Sequence, residues 1–422
     1  MDFSLDTVAE RLRIPSAGRA LCTDWDAAMR LPLSQAKSFL GAGYLEQAGR
    51  AAGLTPDMVR EIVDFARRIA VDEAALLFFW YCHYRVLNDP SLVQSWEEPW
   101  PALDDYLGPE AGLLNVLVML SAVPEMQAIH RRLGIPADIV RDTVSDLRLW
   151  METDLYYHRD QCWGITPWIA RWLCKHWQGK LLQLGRLQFS LSTFAGQLRA
   201  YRHRATGAVL AIAEPGVRFC ADGTAWGACC GEDPGDWVST CETSADAVVG
   251  NPILPTGLAR RETRRLELAE WDLALAPGDD MLTFHVPAGG SLSFEDCGES
   301  FRRAMEVFPR HYPEFAFRGF WTSSWLMDTR LQSLLPAEAN IVRLQQETYA
   351  YPGLQGDNQQ IHHRVFGWGV TDIHSVPWLT SLQKTVGRYL ENGGHFHGGY
   401  GFLLREDFAW GEQVYLRRLA LA

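Results

Sequence analysis

The chain has 422 residues, 47% hydrophobic and 21% charged, which is the composition of a globular protein rather than a disordered or fibrous one. Its formal net charge of −12 argues against a general nucleic-acid-binding protein, because that class needs a basic surface. The longest apolar run, residues 74–82, is too short to span a bilayer, and the amphipathic, acidic N-terminus does not resemble a signal peptide. We therefore expect a cytoplasmic protein that binds neither nucleic acid nor membrane.

Residues 1–180 have the hydrophobic period of helices. Thr55 is predicted to cap a helix that has Pro56 at its first position, with apolar residues following at helical spacing. Further helices are expected over residues 72–87, 112–120, 124–134, 136–153 and 168–177. Since no period recurs that would indicate a repeat array, we predict one all-helical N-terminal domain.

The pattern changes near Gly179. Residues 182–192 alternate as a half-buried strand does, and two further strands are expected on either side of a turn at Thr206 and Gly207. Residues 215–255, rich in Gly, Asp, Cys and Pro, are predicted to be an irregular insertion. Later expected elements are strands over 281–286, 315–325, 361–368 and 395–404, and helices over 293–308 and 378–390. Mixed strands and helices after a helical half indicate an α+β or α/β fold for residues 181–422.

The stretch from residue 281 to 351 is the most informative part of the sequence. A predicted strand runs into Pro287-Ala288-Gly289-Gly290 and then into a helix that Ser293 would cap. Backbone N–H groups at such a junction can bind an anion such as a pyrophosphate, which suits an acyl-CoA site. A glycine pair before a helix is also typical of an ordinary tight turn.

Four segments together resemble one protein family. They are residues 179–189 (GKLLQLGRLQF), His285-Val286-Pro287 with Gly289-Gly290, residues 320–326 (FWTSSWL), and Ala339-Asn340-Ile341. In this order they resemble bacterial proteins that carry a helical N-acyltransferase N-terminal domain followed by a GNAT-like C-terminal domain. The resemblance implies domains over residues 1–180 and 181–422, with the insertion near 215–255 in the second. It also implies two parallel strands that splay apart, with the pantetheine arm of an acyl-CoA between them.

The same resemblance implies an acyltransferase that moves an acyl group from an acyl thioester to a small-molecule amine by direct attack. A base must then take the ammonium proton, and His285 on the first of the splayed strands is the candidate. The alternative for His285 is a core histidine hydrogen-bonded to a backbone carbonyl.

The remaining site residues are also carried over from the resemblance. Backbone groups of the loop would hold the phosphates, and an asparagine near the start of the second helix would bond the pantetheine amide. Asn340 occupies that position, although it is also suited to capping the helix. Tyr349 is the candidate acid for the leaving thiolate, two residues beyond the position that the family pattern gives to a tyrosine. The loop residues with this predicted role are Val286, Ala288, Gly289, Gly290 and Ser291.

The chain departs from the family pattern at the phosphate loop. The loop lacks the usual leading Gln or Arg, and Glu295, Asp296 and Glu299 crowd the start of the following helix, where like charges would repel a phosphate. Three alternatives for the acyl donor therefore remain. It is acyl-CoA, or the phosphopantetheine of an acyl-carrier protein, or there is no donor because the protein is a non-catalytic GNAT-like scaffold. A carrier protein would need a basic docking patch, for which residues 260–265 (RRETRR) are the candidate.

The other reactive residue types give weaker signals. Cys297 and Ser324 lack the partners in sequence that an activated nucleophile needs, so packing roles are favoured. The histidine pairs at 362–363 and at 395 and 397 have no identifiable third ligand, and no metal is expected.

Overall fold

The computed structural model describes residues 4–89, 92, 97–153, 159–227, 233–353 and 358–419. The chain divides into two compact units, one formed by residues 1–184 with 287–290 and the other by residues 185–286 with 291–422. Part of the predicted insertion, residues 228–232, lies outside the described residues.

The described elements of the first unit are helices, followed by a single strand. The helices are α1 (Leu5–Arg11), α2 (Ser16–Ala20), α3 (Trp25–Ala28), α4 (Leu33–Phe39), α5 (Ala42–Ala51), α6 (Pro56–Ile69), α7 (Glu73–Asn88), α8 (Asp104–Leu107), α9 (Ala111–Ser121), α10 (Val123–Arg132), α11 (Ala137–Val144), α12 (Asp146–Thr153) and α13 (Pro167–Trp177). The strand is β1 (Leu181–Leu184), which packs on α11, where the Gln183 N–H donates to Thr143 Oγ1 at 2.9 Å.

Helices α7 and α9 form the centre of this unit. Every residue of α9 is buried, and α7 is apolar around most of its circumference, as expected for a helix enclosed by others. The predicted start of α6 is confirmed, because the Thr55 side chain accepts a hydrogen bond from the Met58 N–H and Pro56 is the first helical residue.

No single helix among the described residues is long and apolar enough to cross a membrane. The segment from Asp104 to Ser121, taken together with α10, has the length and composition for a span but is bent by 42°.

One helix predicted over residues 136–153 is in fact two, α11 and α12, which meet at Ser145. The Ser145 hydroxyl donates to the Asp142 carbonyl at 2.7 Å, and serine favours such local bonds over continuation of a helix. The strand predicted over residues 182–192 is also divided, because Gly185 takes a φ of +76° at a turn between β1 and the next strand.

The second unit contains most of the strands. They are β2 (Leu187–Thr193), β3 (Leu198–His203), β4 (Val209–Ala213), β5 (Arg218–Phe219), β6 (Trp237–Val238), β7 (Cys241–Thr243), β8 (Ala247–Gly250), β9 (Pro252–Leu254), β10 (Leu258–Ala259), β11 (Arg264–Glu267), β12 (Trp271–Leu275), β13 (Asp280–His285), β14 (Gly319–Ser324), β15 (Tyr349–Pro352) and β16 (Gly399–Leu404). Its helices are α14 (Phe294–His311), α15 (Leu331–Leu334), α16 (Asn340–Gln346), α17 (Gln359–Ile361), α18 (Ser381–Glu391) and α19 (Val414–Arg418).

The main sheet of this unit has the order β2-β13-β14-β16-β15. β13 and β14 are parallel, and the other neighbouring pairs are antiparallel. Side chains of one face pack against α14, where Phe189, Phe284 and Phe320 surround Phe301 with ring centroids 4.9–5.5 Å apart. A parallel pair needs a crossover, which here is α14.

A second sheet, in the order β10-β9-β4-β3-β12, is antiparallel. The predicted turn at Thr206 and Gly207 joins β3 and β4, as expected. Within the predicted insertion, the described residues include β5 and β6, and also β7 and β8, which form a small sheet in the order β11-β8-β7 with β11 from beyond the insertion.

The strand predicted over residues 361–368 is wrong. α17 leads there into a π-helical turn, His362–Phe366, whose apolar residues contribute to a small separate core with Ile373, Val386 and Phe396. Ile361 and Val365 lie four residues apart, which is a helical spacing rather than a strand spacing. The mixed α and β character of the chain is confirmed.

Candidate functional site

The parallel pair β13 and β14 separates partway along its length. The two strands are joined at Leu282 with Phe320 and at Thr283 with Trp321. Beyond these pairs, β13 continues to pair with β2 as far as His285, and β14 continues to pair with β16 as far as Ser324. Past Leu282–Phe320 and Thr283–Trp321, the strands that continue to pair with β13 and β14 are therefore their outer neighbours, β2 and β16.

His285 lies on β13 where this separation begins. Its side chain is half-buried, and Nε2 lies 3.3 Å from Oγ of Ser190, which is itself buried. Cross-strand pairing places Ser190 opposite Thr283 and Gln188 opposite His285, so these side chains share one face of the sheet. The imidazole therefore has a polar neighbour on β2 that can orient its ring.

The predicted loop residues are divided between the two units. Val286 and Ser291 belong to the second unit, whereas Ala288, Gly289 and Gly290 belong to the first. Gly289 and Gly290 have φ values of +78° and +71°, which glycine adopts without strain, and both are exposed.

Helix α14 begins as the sequence predicts. The Ser293 side chain accepts a hydrogen bond from the Asp296 N–H at 3.2 Å, and Phe294 is the first helical residue. Two of the three acidic residues that argued against a nearby phosphate, Glu295 and Glu299, have cationic partners. Glu295 lies 3.3 Å from Arg343 of α16, and Glu299 pairs with Arg302 on the next turn.

Arg343 links the start of α14 to α16 in a second way. Its guanidinium carbon lies 3.7 Å from the centre of the Phe294 ring, a cation–π geometry. The Arg343 guanidinium also lowers the pKa of the Glu295 carboxyl, after the larger effect of a backbone hydrogen bond. Arg343 thus compensates the negative charge of Glu295.

A second arginine reaches the start of α14 from the turn between β1 and β2. Arg186 Nε donates to the Ser291 carbonyl at 2.8 Å, just before the helix. Ser300 holds this turn against α14, because its hydroxyl accepts from the backbone N–H groups of Arg186 at 2.9 Å and Leu187 at 3.3 Å. A cation therefore lies beside the start of α14, contributed by a residue about a hundred positions earlier in the chain.

Asn340 is the first residue of α16 rather than its cap, because Ala339 occupies the cap position and makes no side-chain capping bond. The alternative explanation of Asn340 as a helix cap is therefore wrong. The side chain is half-buried, and α16 packs beside α14.

Tyr349 is enclosed in the interior of the second unit. Its ring is fully buried and stacks on Phe402 with centroids 4.8 Å apart. The hydroxyl donates to the Ile253 carbonyl and accepts from the Ala211 N–H at 3.0 Å. Burial also raises the pKa of Tyr349 far above that of an exposed tyrosine. Since both hydrogen-bonding roles of the hydroxyl are taken by the second sheet, Tyr349 has a structural role, and we withdraw it as the candidate acid.

The other reactive side chains also have structural partners. Cys297 is fully buried, and burial raises the pKa of its thiol to about 11, which disfavours the thiolate. The Ser324 hydroxyl caps a short helix by accepting from the Leu326 N–H. Arg265 of the basic run pairs with Glu267 at 2.6 Å. Among the described residues, no group of three or more His, Cys, Asp and Glu side chains is arranged to hold a metal ion.

Sequence reasoning missed Ser190, Arg186 and Arg343. The alternation of residues 187–193 could have shown that Ser190 shares a face with the polar side chains of its partner strand. No local signal marks the two arginines, because their partners are distant in sequence.

Family models match both parts of the chain. A model of the N-acyltransferase N-terminal domain matches residues 44–179, and a model of the GNAT-like C-terminal domain matches residues 181–403. The chain therefore belongs to the acyltransferase family that combines these two domains. No curated protein matches it.

Solved structures of acyltransferases have a similar fold. An acyltransferase mutant in complex with octanoyl-CoA is 21% identical, with a TM-score of 0.66, over 94% of this chain and 98% of that chain. An acyltransferase in complex with decanoyl-CoA and teicoplanin is 22% identical, also with a TM-score of 0.66, over 96% of this chain and 99% of that chain.

Proposed function

We propose that this protein is a GNAT-type N-acyltransferase that moves an acyl group from an acyl-CoA thioester directly to an amine. The observation that carries the proposal is the separation of β13 from β14 beyond Thr283 and Trp321, beside His285. The family to which the chain belongs supports the same class of reaction.

The residues present suit a direct transfer. The amine nitrogen attacks the thioester carbonyl carbon, a C–N bond forms, and the C–S bond breaks to release the CoA thiolate. The ammonium proton passes to the neutral imidazole of His285, which Ser190 orients, and the thiolate is protonated from water. No side chain becomes acylated in this route.

The proposed donor is acyl-CoA rather than an acyl-carrier protein. Glu295 and Glu299 at the start of α14 pair with Arg343 and Arg302, which reduces the repulsion of phosphates that the sequence suggested. The candidate docking patch for a carrier protein is partly neutralised, because Arg265 pairs with Glu267 and lies near Asp246. Since related structures hold octanoyl-CoA or decanoyl-CoA, we propose a medium-length acyl group. The acceptor in this proposal is a small-molecule amine.

Calorimetric titration with octanoyl-CoA, combined with release of free CoA thiol, tests the function. We expect binding, a raised melting temperature, and thiol release that requires an amine. Thiol release without an amine would indicate hydrolysis instead. Absence of both heat and thermal shift at millimolar octanoyl-CoA would contradict the proposal and favour a non-catalytic scaffold.

A further inference from the structure

Four side chains form one row across the main sheet. Cross-strand pairing places Ser323 opposite Tyr400 and Tyr400 opposite Tyr351. Thr283 pairs with Trp321, and His285 and Ser323 each lie two residues further along these two strands. Residues two apart on a strand point to the same face, so His285, Ser323, Tyr400 and Tyr351 share a face. Ser323 is exposed and Tyr400 half-buried, which leaves the middle of the row accessible.

A cavity of about 40 Å³ lies at the far end of this row. Its lining is mainly aromatic and aliphatic and includes Val217, Phe219, Ala225, Tyr351 and Tyr400. Since one water-sized group needs about 10–15 Å³, the cavity has room for about three such groups, for example the last carbons of an acyl chain. Its rim includes the exposed residues Ala195 and Gln197, so the cavity opens to the surface.

The hydroxyl of Tyr351 is the unusual feature of this cavity. The residue is only 4% exposed, and its ring stacks on Tyr400 with centroids 5.1 Å apart. The hydroxyl has no hydrogen-bond partner among the described residues. It lies close to Gly196, where an added Cβ would come within 2.8 Å of the hydroxyl oxygen. A buried hydroxyl is costly without a partner, so a polar atom of a ligand is expected to meet it.

We propose that this cavity receives the far end of the acyl group and that the Tyr351 hydroxyl selects chains carrying an oxygen there. This inference rests on the proposed function, because it needs the thioester to lie between β13 and β14. The distance from the gap between β13 and β14 to β15 is about 12 Å, because it spans about two and a half inter-strand spacings of about 4.8 Å each. An extended chain advances about 1.2 Å per bond, so about ten bonds bridge the distance, which a ten-carbon acyl group with a terminal oxygen provides.

The test compares the affinities of decanoyl-CoA and 10-hydroxydecanoyl-CoA by calorimetry. We expect the wild-type protein to bind the hydroxylated donor about fivefold more tightly, the typical effect of one neutral hydrogen bond. Tyr351→Phe removes only the hydroxyl, so the two donors should bind this variant equally. Tyr312→Phe is the matched control, since Tyr312 stacks on Phe308 away from the row, and it should keep the preference.

Filling the cavity gives an independent readout. Ala225 is 2% exposed and lines the cavity, so Ala225→Leu should weaken decanoyl-CoA binding about tenfold while leaving butanoyl-CoA binding unchanged. An equal loss for both donors would overturn the assignment of the cavity. The role of the Tyr351 hydroxyl would be overturned if the wild type showed no preference for the hydroxylated donor, which is the result expected if water bonds the hydroxyl. It would also be overturned if the preference persisted in Tyr351→Phe. If neither decanoyl-CoA nor butanoyl-CoA binds the wild type, the proposed function fails as well.

Discussion

His285 and Tyr349 have opposite environments, although the sequence suggested a chemical role for both. His285 is half-buried beside a strand separation, with Ser190 as a polar neighbour. Tyr349 is fully buried, with its hydroxyl engaged by two backbone groups. Accessibility therefore favours His285 as the group that handles a proton during transfer.

We expect His285→Gln to keep the fold and donor binding but to slow acyl transfer by about 10²–10⁴-fold, the usual contribution of a general base. The wild-type rate should fall as the pH drops below neutral, because a protonated imidazole cannot accept the ammonium proton. Single-turnover rates and melting temperatures measured on one preparation check both statements. His374→Gln, at an exposed histidine of the same unit, is the control. If His285→Gln turned over at the wild-type rate per folded molecule, His285 would have no part in the mechanism.

Tyr349→Phe should lower the stability of the fold without slowing acyl transfer, the opposite of what is expected for His285→Gln. The change leaves the Ile253 carbonyl and the Ala211 N–H without their partner in a buried environment, which costs roughly 2–4 kcal/mol of stability. The rate per folded molecule should stay at the wild-type value. Urea unfolding gives the stability, and active-site titration gives the folded fraction. A variant of normal stability that has lost its activity would restore Tyr349 as a catalytic residue.

At the scale of elements, the turn between β1 and β2 depends on α14. Ser300 joins them, since its hydroxyl accepts from two backbone N–H groups of the turn and donates to the Asp296 carbonyl at 2.8 Å. Such a contact fixes the position of Arg186, whose guanidinium bonds the carbonyl just before the helix.

Ser300→Ala should therefore destabilise the protein by roughly 1–3 kcal/mol, because the two N–H groups lose their acceptor. Weaker binding of acyl-CoA is also expected, since Arg186 is no longer held in place. Ser333→Ala is a suitable control, as the Ser333 hydroxyl also donates to a carbonyl but is exposed. Urea unfolding and calorimetric titration supply the two readouts. Unchanged stability of Ser300→Ala would show that the turn does not need this contact.

Elements predicted from the sequence were correct where their signal was local. The caps of α6 and α14 are confirmed, because a cap depends on residues three positions apart. The predicted strand over residues 361–368 was wrong because a short apolar run fits either a strand or a helix, and packing in the small core decided between them.

For the whole molecule, acid stability should depend on a histidine in the first unit. His83 is 3% exposed, stacks on Trp80 and has Nδ1 2.7 Å from Ser121 Oγ. Burial lowers the pKa of its imidazole to about 4, below the ordinary value of 6.5. Between these values the unfolded chain binds a proton that the folded chain does not, so stability falls as the pH decreases through this window.

The expected loss from His83 between pH 6.5 and pH 4 is about 3 kcal/mol. His83→Gln should reduce the slope of the free energy of unfolding against pH within that window. Some slope should remain, because burial also lowers the pKa of His130. Urea unfolding at several pH values between 4 and 7 measures the slope, with His374→Gln as the control. Equal slopes for His83→Gln and the wild type would contradict the prediction.

By itself, the sequence determined the helical character of the described N-terminal residues, the order of the strands around α14 and the family resemblance. These depend on periodicity, caps and motifs, which involve residues close together along the chain. Only the tertiary structure decided that Tyr349 is enclosed, that Arg343 compensates Glu295, and that Tyr351 lies in one row with His285. Each of these depends on strand pairing or side-chain contacts between residues far apart in sequence, for which a single sequence carries no local signal.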